Sequence, residues 1–213
     1  MPFSRAQFFE VFRDYNQAVW PLQWLLNLLA IVAIVLAVRG QSARLVSAIL
    51  GGFWIWMGIA YHLSFFARVN RAAVVFGVLF ITEGLLLLWI GVARRRLHFR
   101  VRTDSSGALG LTLITYAMLL YPALGYVIGR RYPDTPTFGL PCPTTIFTFG
   151  LLLWTVPPVP LRLLAIPAAW SLIGFSAARS LSMTEDYGLL IAAILATTLL
   201  VYRARPDPAE PAS

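Results

Sequence analysis

The stretch "AAVVFGVLFITEGLLLLWIGVARRR", residues 72–96, decides the fold. From residue 72 to residue 93 it carries one ionisable side chain, Glu83, and it then meets three consecutive arginines. As a helix at ~1.5 Å per residue such a run covers the ~30 Å hydrocarbon core of a bilayer, and the arginines mark the water boundary. Comparable runs recur at about 20–38, 45–66, 107–128, 143–156, 161–177 and 187–202. The reading is an all-α polytopic transmembrane helix bundle of about seven spans. A β-barrel needs alternating segments of about ten residues, and these runs are continuous.

Composition agrees. Of 213 residues, 59% are hydrophobic and 12% charged, and the mean hydropathy is +0.74. A soluble domain is excluded, and the length leaves room for one bundle and no further domain. The net charge of +8 comes from 17 basic residues that are all arginine. Loops facing an anionic leaflet account for that balance, so the expected partner is the lipid bilayer rather than nucleic acid. With no lysine there is no retinal Schiff base. Arginine in place of lysine, with abundant alanine, fits a high-GC bacterial genome. A single cysteine forbids an intramolecular disulfide, and no cofactor is expected.

The N-terminal stretch 1–19 is not a signal peptide, because acids interrupt it and no apolar region follows its first arginine. It predicts an amphipathic surface helix. Ser4 and Gln7 form a capping box, Phe3 staples onto Phe8, and Phe8, Val11, Phe12 and Tyr15 share one face that would lie at the headgroup boundary. The bundle occupies 20–202, and 203–213 is a disordered cytoplasmic tail. With seven crossings, seven arginines fall on the N-terminal side and ten on the other. The positive-inside rule then puts the N-terminus in the periplasm and the C-terminus in the cytoplasm of a bacterial inner membrane.

The span at 143–156 is short, and the next one contains Pro167. Short or proline-broken helices leave backbone groups facing a cavity or ligand. Pro141 and Pro143 flank Cys142, place it at a helix N-terminus that favours the thiolate, and leave the amides of Thr144 to Ile146 free to point outward. Thr144, Thr145 and Thr148 line one side of that helix. Polar residues, including His62, Tyr121, Cys142, Thr145 and Asp186, collect toward the N-terminal side, as around a solute-facing vestibule. Glu83 lies mid-span with no base on its own helix, which marks a proton relay or cation ligand unless another helix bonds it as a neutral acid.

Several chemistries are excluded. The two histidines, His62 and His98, fall on opposite sides, so no histidine-cluster zinc site forms. There is no GxSxG elbow. A Cys142–His62 dyad acting on a lipid-linked substrate, and soft-metal binding by Cys142 and His62, stay open.

The segments "FFEVFRDYNQAVWP" (8–21), "YHLSFFARVNRAA" (61–73), "PTFGLPCPTTIFTFGLLL" (136–153), "IPAAWSLIGFSAA" (166–178) and "EDYGLL" (185–190) resemble the DUF6064 family of small bacterial multi-spanning membrane proteins. The Pro-Cys-Pro segment carries the most specific part of the resemblance. The family pattern often reads Gly-His where this chain has Gly129 and Arg130, which removes any metal role for that histidine here. The resemblance implies a membrane protein, loosely permease-like, of unknown function. The residues favour a non-enzymatic protein that binds or passes a small solute or ion, with Glu83, His62, Tyr121, Cys142, Thr145 and Asp186 at its site. A membrane enzyme and a structural subunit of a membrane complex are the alternatives.

Overall fold

The computed structural model describes residues 2–156 and 159–205. Among the described residues eight helices form an all-α bundle: α1 (Arg5–Val19), α2 (Leu22–Val38), α3 (Ala43–Arg68), α4 (Ala73–Ala93), α5 (Ser105–Val127), α6 (Pro141–Leu153), α7 (Arg162–Leu181) and α8 (Thr184–Arg203). Among the described residues the only β features are isolated bridges, one of them Phe99 with Thr155. The expected tail at 203–213 lies outside the described residues from position 206 onward.

Five helices, α3, α4, α5, α7 and α8, are long and apolar enough to cross a membrane, and α1 with α2, bent by 84°, makes a sixth if counted as one span. Of the about seven spans expected, the described residues give five or six by length and composition, with the short span at 143–156 standing apart. The exception is α6, whose 13 residues cover only ~20 Å. It is nonetheless the most enclosed helix, with every residue but Cys142 buried, and it packs on α5, α7 and α8. Protein shields its ends, so they need not reach lipid headgroups. At its C-terminus Arg203 donates to the Leu153 carbonyl at 3.0 Å and to that of Thr155 at 2.5 Å, and the Arg100 amide donates to Trp154 O at 2.7 Å. Outward positions such as Leu28, Ile31, Val78, Leu172, Ile191 and Ile194 are large, apolar and exposed, which is compatible with a lipid-facing surface.

The capping box of α1 forms as the sequence predicts, and Phe3 stacks on Phe8. Its apolar face, however, does not lie free at a headgroup boundary. Phe8, Phe12 and Tyr15 are buried against Tyr61, Phe65 and Phe66 of α3. The aromatic rings find complementary rings within the chain, so protein rather than lipid covers them.

Asn16 then fixes the loop that leads to α6. Its Nδ2 donates to the carbonyls of Pro133 (2.6 Å) and Thr135 (2.8 Å), and its Oδ1 accepts from Thr137 Oγ1 at 2.9 Å. Arg13 adds an ion pair to Asp134 at 2.7 Å.

Helices α3 and α4 approach at a pair of small residues. A Cβ on Gly84 would lie 2.6 Å from the Gly51 carbonyl oxygen, so only glycine permits this backbone contact.

Candidate functional site

The loop from Phe138 to Leu140 delivers Cys142 to the centre of the bundle. Gly139 takes a left-handed φ of +96°, Leu140 is extended, and Pro141 opens α6 at its first position. The Gly139 amide donates to Thr144 Oγ1 at 3.1 Å, and the Thr144 amide bonds back to Leu140 O. This corrects the expectation of free amides at Thr144 to Ile146. The helix starts two residues earlier than expected, Pro141 and Pro143 have no N–H, and the later amides fall inside the i→i−4 ladder.

Cys142 therefore does not face an anion-binding helix end. It sits beside the carboxyl of Asp186, which opens α8, and beside the indole of Trp170 on α7. Asp186 is 4% exposed and accepts a short hydrogen bond at Oδ1 from the hydroxyl of Tyr121. Its neighbour Glu185 is wholly buried and pairs with Arg130. Arg130 also donates to Ser182 O at 2.8 Å and lies over the Phe9 ring at 5.3 Å, while Tyr116 donates to the Glu185 carbonyl at 2.7 Å.

Tyr121, Cys142, Trp170 and Asp186 border a partly open cavity of about 410 Å³ between α1, α3, α4, α5, α7, α8 and the start of α6. Its wall is mainly aromatic and apolar, with Phe8, Phe12, Tyr61, Phe66, Phe76 and Trp170 on it, and Tyr121, Cys142 and Asp186 supply its polar corner. That is the make-up of a small-molecule site: apolar walls with a few convergent polar groups. One π-helical stretch, Met57–Leu63, puts Tyr61 on the cavity wall, and another, Tyr116–Leu120, ends just before Tyr121. Such wide turns recur at functional sites because they re-aim side chains within a helix.

Of the six residues expected at the site, three meet here: Tyr121, Cys142 and Asp186. His62 stands behind the wall, its ring 5.0 Å from Trp170 and 4.5 Å from Phe80, and neither ring nitrogen has a hydrogen-bond partner among the described residues. Glu83 and Thr145 are fully buried and do not line the cavity. Both Glu83 carboxylate oxygens and Thr145 Oγ1 lack partners among the described residues. Thr148, by contrast, is consumed in packing, accepting from Trp54 Nε1 at 3.1 Å.

Sequence reasoning missed Arg130 and Trp170. Glu185 held the available signal for Arg130, since a second acid at membrane depth needs a cation. Trp170 gave no signal, because a tryptophan in an apolar helix reads as core or interface. No group of three or more metal-ligating side chains occurs among the described residues. The polar neighbour found for Cys142 is Asp186, not His62.

The fold and this cavity define a helical bundle, compatible with a membrane protein, that carries a largely apolar and aromatic cavity with one acidic corner. The chain belongs to the DUF6064 family, a family of unknown function whose model matches residues 5–210. No curated protein and no solved structure matches it.

Proposed function

We propose that this is a permease-like integral membrane protein that binds a small solute in the cavity bounded by Tyr121, Cys142 and Asp186. The observation that carries the reading is that cavity: about 410 Å³, mainly apolar-walled, with Tyr121, Cys142 and Asp186 together at one corner. Glu83 is the second element. A carboxyl group fully inside the bundle, with both oxygens free of partners among the described residues, suits a proton site coupled to solute movement. With α6 counted as a seventh crossing, the arginine distribution supports a bacterial inner membrane with the N-terminus periplasmic and the C-terminus cytoplasmic, and the cavity, which lies at the N-terminal side, then opens outward.

The test is thermal stabilisation of the purified protein by a panel of amino acids, sugars, carboxylates and amines, repeated on Ala177→Trp, which fills the cavity. Stabilising solutes should lose their effect in that variant. A panel without effect, or an effect that survives the tryptophan, sinks the reading. A stabilising solute is then offered to proteoliposomes under a pH gradient, where Glu83→Gln should abolish uptake.

A further inference from the structure

The cavity's polar corner has an unbalanced charge. Two carboxyl groups, Glu185 and Asp186, are buried side by side, and among the described residues a single cation, Arg130, is placed against both. Arg130 is already committed to Glu185, to the Ser182 carbonyl and to the Phe9 face. Asp186 feels the same guanidinium but has no ion pair of its own among the described residues; its direct partners are neutral, the Tyr121 hydroxyl and the Cys142 thiol. Two carboxylates removed from water with one shared cation are costly, so the arrangement favours whatever brings a second positive charge to them.

The rest of the lining is suited to such a charge. Aromatic rings carry negative quadrupoles on their faces that attract ammonium groups, and this lining includes Phe8, Phe12, Tyr61, Phe66, Phe76 and Trp170. Phe8, Phe66 and Tyr61 interlock, with Phe8–Phe66 centroids 6.0 Å apart and Tyr61–Phe66 5.7 Å apart, so the rings are fixed in place before any ligand arrives. Trp170 contributes a ring 92% buried by the protein, whose indole N–H has no hydrogen-bond partner among the described residues and lies close to Cys142. The cavity volume admits a body the size of a substituted phenyl ring as well as the charge.

From this acid corner within an aromatic lining, we infer that the cavity selects a lipophilic organic cation, a quaternary or protonated ammonium on an apolar body. The inference rests on the solute-binding reading and names the class of its solute. The same chemistry occurs in a free amine and in a choline headgroup.

The experiment is equilibrium dialysis of the full chain in maltoside micelles against benzyltrimethylammonium and its uncharged carbon isostere neopentylbenzene, with empty micelles as blank. The cation should bind about tenfold tighter than the isostere, and Asp186→Asn should remove most of that difference. Equal binding of the two compounds overturns the cation assignment and leaves the solute site standing. Binding of neither overturns both. The comparison in the unaltered protein decides even if Asp186→Asn fails to fold. Competition by a short-chain phosphatidylcholine assigns the headgroup as the natural source; its failure to compete assigns a free amine, and either result requires that the cation has bound.

Discussion

Tyr121 donates its hydroxyl hydrogen to Asp186 across 65 residues of sequence, tying the end of α5 to the start of α8 at the floor of the cavity. Both partners are buried. Tyr121→Phe removes the donor and leaves the acid oxygen unsatisfied, which costs about 1–3 kcal/mol. A lower melting temperature is expected, and the double variant with Asp186→Asn should lose less than the sum of the singles. Strict additivity would show that the two groups do not interact.

Arg130, in the loop after α5, and Glu185 of α8 form the second tie, with side chains 10% and 0% exposed. Arg130→Met strands a carboxylate among buried groups, and removing one member of such a pair costs about 3–5 kcal/mol. Adding Glu185→Gln to that variant should recover much of the loss, read as melting temperature in detergent. An Arg130→Met protein as stable as the parent would contradict the pairing.

Two glycines, Gly84 at the contact of α3 and α4 and Gly52 on the open side of α3, should respond in opposite ways. Gly84→Ala drives a methyl to 2.6 Å from the Gly51 carbonyl, whereas a methyl at Gly52 meets nothing within 4 Å. Overpacking at the first position costs about 1–3 kcal/mol, while the second gains up to about 1 kcal/mol from helix propensity. Folded yield and melting temperature of the two variants, measured in parallel, decide it.

Asp104 caps α5 through the Gly107 amide at 3.1 Å and takes Arg102 at 2.9 and 2.5 Å. The bonded guanidinium holds its carboxyl at about 2, below the usual 3.8. A depressed acid stabilises the fold above its unfolded value, so this contribution is complete above pH ~4 and lost as pH falls toward 2. Asp104 is exposed, so the effect is small. Asp104→Asn keeps a capping oxygen and should flatten the melting temperature between pH 4 and pH 2 relative to the parent; an unchanged slope would exclude Asp104 as its source.

The sequence by itself determined the class of the protein and the positions of its helices. Hydropathy runs and arginine boundaries are local properties of the chain, and helices obey them because backbone groups in lipid must bond within their own segment. The capping box at Ser4 and the helix start beside Cys142 were legible for the same reason, although the latter lay two residues earlier than expected. What lipid touches and what protein touches was not legible, since both are equally apolar. Only tertiary structure turned the face of α1 inward onto Tyr61 and Phe66. It also made the shortest apolar helix the innermost one, and separated Glu83 from a cavity that joins Tyr121, Cys142 and Asp186. Those placements depend on packing between segments far apart in the chain, where glycine contacts and ring shapes, rather than hydropathy, decide which surfaces meet.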